Sequence, residues 1–288
     1  MPQKNTPKSK TEADILPVLI VGSGPAGLML ALELAHQDIP FRIIDGKAGL
    51  TASSNAIAVH SRSLEIFATR GLDKKLIAQG LKAKANNIYY SNELLARIKL
   101  DNDEDNPYNY ALMLEQNHTE QVIVDALKTQ AVKIEFSTTL KGLRQYNSHS
   151  VAMLEHKGKT EKVSAAYVVG CDGFNSTVRQ KSHIDYLGKD LGFHALMMDV
   201  PIESKLKNNE LQMFLHAHGI LMIFPLKDKV RIIADIMHDP EFNNVKEATP
   251  DIMNAIIARR AGMTIKLGEP VWTSSFYIHE RLAKNYLK

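Results

Sequence analysis

Three glycines carry the first chemistry legible in the chain. Gly22, Gly24 and Gly27 have the spacing G-x-G-x-x-G. In such a turn the first glycine permits the tight bend, the second lets a pyrophosphate approach the backbone, and the third lets a helix pack closely on a strand. Pro25 suits the first helical position, where its missing N–H costs nothing. Ser23, Pro25 and Ala26 complete the turn, and the free N–H groups and positive dipole end of the helix face a phosphate. Asp45 follows 18 residues after Gly27. A carboxylate there suits the two hydroxyls of an adenosine ribose.

The elements that must position these groups are legible too. Leu16 and Val18 to Val21 form an apolar run, as expected of a parallel strand buried on both faces. A helix follows the turn, and a second apolar strand, Phe41 to Ile44, delivers Asp45. The spacing by itself does not separate NAD from FAD.

At 288 residues the chain can form one large domain or two. Its formal net charge is +3, and Lys4, Lys8 and Lys10 in a polar N-terminal stretch account for the excess. No global basic surface therefore argues for nucleic acid. Residues 1–14 lack an apolar core and read as a disordered basic tail, neither signal peptide nor anchor. No apolar run is long enough to span a bilayer. The single cysteine, Cys171, excludes an internal disulfide and fits a reducing cytoplasm.

Beyond Asp45 lies a Ser/Gly-rich loop in which Ser53, Ser54 and Asn55 can bond phosphate or simply face solvent. A helix is expected from about His60, with Leu64, Phe67 and Ala68 on one face and Gly71 as cap. On it, Arg62 can meet a phosphate or pair with Glu65 one turn on. Residues 86–100 read as a strand pair. The acidic stretch beginning at Asp101 lacks the Gly and terminal Glu of a calcium loop and reads as a solvated turn. An amphipathic helix follows, capped by Asn117 or Thr119, with Gln116 just ahead of it and within reach of a cofactor ribose.

Val132 to Phe136 is expected as a short strand, and residues 138–164 as antiparallel strands around polar turns. A buried strand over 167–170 breaks at Asp172-Gly173 and enters a helix near Ser176. Asp172 can accept hydrogen bonds from a ligand hydroxyl or from the turn backbone, and Arg179 is either an anion ligand or a surface charge. From about Ile184 the segments are strand-like and rich in Met, Phe and Leu, more than one solvated face needs, so one face can wall an apolar pocket. Pro250 opens one short helix whose end, Arg259-Arg260, reads as solvated. His216 and His218, two apart on an expected strand, share a face but lack a third metal ligand. Cys171 reads as packing.

GSGPAGL, the acid after the second strand, and VVGCDGFNSTVRQ at this distance together resemble the flavoprotein aromatic hydroxylases of the p-hydroxybenzoate/phenol hydroxylase type. SSNAIAVHSRSLEIF and MLEQNHTEQVIVDAL are also similar to segments of that family. The resemblance covers essentially the whole chain. It implies an α/β fold: a Rossmann-like FAD-binding domain with an inserted, mostly antiparallel β-sheet substrate domain. The expected division is a tail over 1–14, an FAD-binding domain over 15–183, a substrate sheet over 184–278, and a return to the FAD domain over 279–288.

The resemblance further implies an FAD-dependent, NADH- or NADPH-consuming monooxygenase. It would hydroxylate a phenolic small molecule with dioxygen through a flavin C4a-hydroperoxide, in the cytoplasm, and a homodimer is compatible with it. Gly22, Ser23, Gly24, Pro25, Ala26 and Gly27 would hold the FAD pyrophosphate. Asp45, where the family often has Glu, would hold the adenosine ribose, and Gln116 would touch the cofactor near its ribityl chain. Arg62 and Asn55 would flank the phosphates, although the family often has Arg where this chain has Asn55. Asp172 and Gly173 would sit between FAD and the nicotinamide nucleotide, with Arg179 favouring the latter's phosphates. No nucleophile, general base or metal is expected.

The chain ends at ERLAKNYLK, where the family continues into a GR-x-x-LAGDAAH segment, so the sequence resembles a C-terminally truncated member. Alternatives are a non-catalytic FAD- or nucleotide-binding remnant and a quinone-pathway hydroxylase of the same fold. A halogenase should show W-x-W-x-I-P, which the single tryptophan, Trp272, does not allow. A plain NAD-dependent dehydrogenase is disfavoured by the CDG motif and by the lack of a catalytic His/Asp or Tyr/Lys pair.

Overall fold

The computed structural model describes residues 15–51, 56–100, 105–204, 206 and 209–288. The expected tail over 1–14, the phosphate-loop residues Ser53, Ser54 and Asn55, and Asp101 to Glu104 of the acidic turn lie outside the described residues. The chain forms two compact units. One comprises the chain up to Ala52, Thr119–Leu187 and Leu282–Lys288; the other comprises Ser53–His118 and Gly188–Arg281.

In the first unit, β1 (Leu16–Val21) runs into the helix α1 (Pro25–His36) and then β2 (Phe41–Ile44). β1 lies between β2 and the strand Lys159–Gly170, parallel to both. This central position explains its unbroken apolar run: Leu19 and Ile20 are wholly buried. Ile134–Glu135 extends the parallel part beside β2, and Ser150–His156 and Thr138–Gln145 add antiparallel strands at the other edge. α1 buries Leu28, Ala31 and Leu32, positions one turn apart on a single face.

The second unit is built on a seven-stranded sheet. Its Glu210–His216, Gly219–Pro225 and Val230–Asp235 strands form a meander beside Tyr186–Val200, and Trp272–Ala283 lies at one edge. Ala85–Tyr90 joins Glu210–His216 in parallel and carries the edge strand Glu93–Lys99. These two strands draw residues 53–118 into the second unit, although they fall within the stretch expected as FAD domain. The helix Pro250–Ala261 is capped by Thr249, whose hydroxyl accepts from the Ile252 N–H, and ends at Gly262 in the left-handed region. It packs Met253, Ile256 and Ile257 against one face of the sheet.

Several local expectations are corrected. The helix containing Gln116 starts at that residue (Gln116–Thr129), so Asn117 and Thr119 stand in its first turn instead of capping it. The strand end expected as buried is not: Tyr167 is 66% exposed. Arg259-Arg260 is not a solvated helix end. Arg260 is wholly buried, donating to Asp239 and to the carbonyls of Ile220, Asp235 and His218, while Arg259 pairs with Asp239 and Glu241. A short helix, Asp73–Gln79, went unforeseen.

Candidate cofactor site

The glycine turn is held from two sides. Gly22 donates to the Ile44 carbonyl of β2, and the Cys171 N–H donates to Val21 of β1. Gly22 has φ +105, and a Cβ there would stand 2.3 Å from the Cys171 carbonyl oxygen. Gly27 is required for a different reason: a Cβ would meet the Gly22 oxygen at 1.9 Å, so only glycine lets α1 sit against the turn. Gly24 differs from both. Its backbone is extended and a Cβ would meet nothing within 4 Å. The open space lies at the N-terminus of α1, which no side chain caps and whose first turn holds no acid. This is a cradle for an anion, and it fits the pyrophosphate of a dinucleotide. Pro25 and Ala26 are exposed beside it.

Asp45 is bound directly to this turn. Its Oδ2 accepts both the N–H and the hydroxyl of Ser23, each at 2.7 Å, and its Oδ1 accepts the Lys47 N–H at 2.8 Å. Ser23 is wholly buried, so its hydroxyl and N–H are committed to Asp45. A carboxylate offers about four acceptor sites, which leaves room for a ribose hydroxyl.

At the C-terminal end of the Lys159–Gly170 strand, Asp172 accepts from the Ser176 hydroxyl and from the N–H groups of Thr177, at 2.6 Å, and Val178, at 3.2 Å. It therefore braces the start of the Thr177–Lys181 helix, and Gly173 holds φ +75 in the intervening turn. Arg179 donates to the Phe174 carbonyl and lies over the Tyr186 ring, 4.0 Å from its centroid. Burial, then the Asp172 charge, push the Cys171 thiol up from its ordinary range, in keeping with a packing role.

Arg62 and Gln116 belong to the second unit. Arg62 is ion-paired with Glu65 at 2.7 Å, and the Gln116 N–H donates to Ala56. Beside Gln116, Glu115 accepts from Lys229 Nζ at 3.0 Å. Burial lowers the Lys229 pKa, but the bond to Glu115, the Glu115 charge and Asp228 together outweigh it and hold the ammonium above its usual range. This tie was missed in the sequence, as was the buried pair of Arg231 and Asp199. The latter had a signal: Asp199 and Arg231 each interrupt an apolar run, ALMMDV and VRIIA. His216 ends its strand and His218 stands in the turn, its N–H donating to His216 Nδ1. Among the described residues no group of three or more His, Cys, Asp or Glu is arranged to hold a metal, and no helix is long and apolar enough to cross a membrane.

The FAD binding domain family matches residues 15–288. The chain belongs to this family. The FAD-binding chain is 30% identical over 278 residues to the 6-methylpretetramide 4-monooxygenase of Streptomyces rimosus, covering 94% of itself and 49% of that relative. It is 27% identical over 276 residues to the pentachlorophenol 4-monooxygenase of Sphingobium chlorophenolicum, covering 94% and 51%. In structure it is similar to the flavin-dependent monooxygenase PieE, solved with FAD and substrate. The TM-score there is 0.82 over 95% of this chain and 51% of that one, at 20% identity, a likeness of fold. The FAD-binding chain thus spans about half the length of the curated relatives it matches.

Proposed function

We propose that this FAD-binding chain carries the cofactor and substrate elements of an FAD-dependent monooxygenase that hydroxylates a phenolic small molecule with dioxygen, using NADH or NADPH. The open backbone at Gly24, at the uncapped start of α1, carries the reading. Bound FAD supplies the redox and oxygen chemistry; the chain's own residues bind and orient. The N–H groups of Gly24, Ala26 and Gly27 at the start of α1 hold the pyrophosphate, those of Gly22 and Ser23 being bound to Ile44 and Asp45 and Pro25 having none. Asp45, fixed by Ser23, gives its remaining acceptor capacity to a ribose hydroxyl. Gln116 contacts the cofactor near its ribityl chain, and Arg62 reaches its phosphates by opening its pair with Glu65. Asp172 and Gly173 border the nicotinamide nucleotide, with Arg179 toward its phosphates. A cytoplasmic location accords with the single cysteine.

The test is an absorbance spectrum of the purified chain after FAD addition and desalting. The expected result is retained flavin, together with NADH or NADPH oxidation accelerated by phenols. Retained flavin without phenol-dependent oxidation reduces the reading to cofactor binding. A colourless protein overturns it.

A further inference from the structure

We infer that Lys229 is a positioning residue for the cofactor: through its buried ion pair with Glu115 it fixes the next residue, Gln116, in the orientation that meets the ribityl chain. This rests on the role given to Gln116 above. Lys229 Nζ lies 3.0 Å from the Glu115 carboxylate, and the two side chains are only 10% and 13% exposed. The partners stand 114 residues apart in the chain, and both belong to the second unit. The other charged groups nearby are solvated: Asp228, 3.4 Å from Lys229 Nζ, and His118, 3.8 Å from the Glu115 carboxylate. Neither replaces the pair.

The backbone on either side of Glu115 is anchored. The Leu114 N–H donates to the Ile57 carbonyl at 2.8 Å, and the Gln116 N–H donates to the Ala56 carbonyl at 2.9 Å. Lys229 is anchored too, because its carbonyl accepts from the Leu226 N–H and closes the turn between two sheet strands. Leu226 then packs with Ile57 and Met113 in one apolar cluster. That cluster keeps the turn docked, but apolar burial has no direction. The ion pair has one. A buried pair adds little net stability over apolar groups of the same shape, yet its charged hydrogen bond demands one geometry. Gln116 follows directly, half-buried at the first position of the Gln116–Thr129 helix. Releasing the Glu115 side chain therefore lets the backbone at this helix start shift, and the Gln116 amide moves with it.

Equilibrium FAD titration by flavin fluorescence tests the inference, with the visible circular dichroism of the bound flavin and the thermal midpoint read on the same variants. Lys229→Met should weaken FAD binding about tenfold, the worth of one hydrogen bond, and change the dichroism. Lys229→Arg should keep both at wild-type values. Combining Lys229→Met with Glu115→Met removes the uncompensated buried charge. The double variant should recover the midpoint but neither the affinity nor the dichroism. If Lys229→Met does not fold, the double variant decides. Wild-type affinity and dichroism in a folded Lys229→Met protein, or their recovery in the double variant, overturn the inference alone, because the pair then serves stability only. A wild-type chain that binds no FAD overturns the cofactor reading and the inference with it.

Discussion

Asp45 and Ser23, 22 residues apart in the chain, are joined twice: one carboxylate oxygen accepts both the backbone N–H and the hydroxyl of the serine. The acid at the end of the second strand thus fixes the glycine turn before any ligand arrives. Ser23→Ala removes one of the two bonds and leaves a buried carboxylate under-satisfied. It should lower stability by about 1–2 kcal/mol in urea unfolding and weaken FAD binding in titration. An unchanged unfolding midpoint would show that the hydroxyl bond adds nothing.

Asp172→Asn tests the second motif. The carboxylate braces a helix start through the Ser176 hydroxyl and two backbone N–H groups. The amide keeps one acceptor oxygen and loses the charge that favours a helix N-terminus. A loss of about 1 kcal/mol is expected by urea unfolding. Wild-type stability in the variant would show that the brace is dispensable.

Much of the first unit was legible because its signals are local. The apolar run of β1, the three glycines and the acid after β2 each impose one geometry within a few residues. The two roles of Asp172 were both readable, and the structure shows the bonds to its own turn. What escaped is what sequence separation hides. Arg260 reads as a cationic helix end by its neighbours, yet a partner 21 residues away and three carbonyls take it into the core. The membership of residues 53–118 in the second unit depends on Ala85–Tyr90 pairing with a strand some 120 residues later, which no local pattern encodes.

Asp239 makes that buried contact pH-dependent. Burial raises its pKa, but bonds from Arg259, Arg260 and the N–H groups of Glu241 and Phe242 outweigh this and hold it well below the usual carboxylate range. The folded state therefore binds this proton less tightly than the unfolded chain. The contribution to stability is complete above the unfolded value of about 4 and is lost as pH falls toward the folded one. Asp239→Ala leaves Arg260 buried and unpaired and should cost about 3–5 kcal/mol at pH 7. The difference from wild type, followed by urea unfolding from pH 6 to pH 3, should shrink as the pH drops. A constant difference would assign the loss to packing.

The central claim, that the turn at Gly22–Gly27 holds the FAD pyrophosphate, is tested most directly by Gly24→Ala, measured as flavin retained after desalting alongside the thermal midpoint. A Cβ at Gly24 meets nothing in the protein, so the variant should melt with the wild type while losing about tenfold or more in FAD affinity, because the methyl group occupies the phosphate's approach. Wild-type flavin retention in a normally folded Gly24→Ala protein would contradict the account.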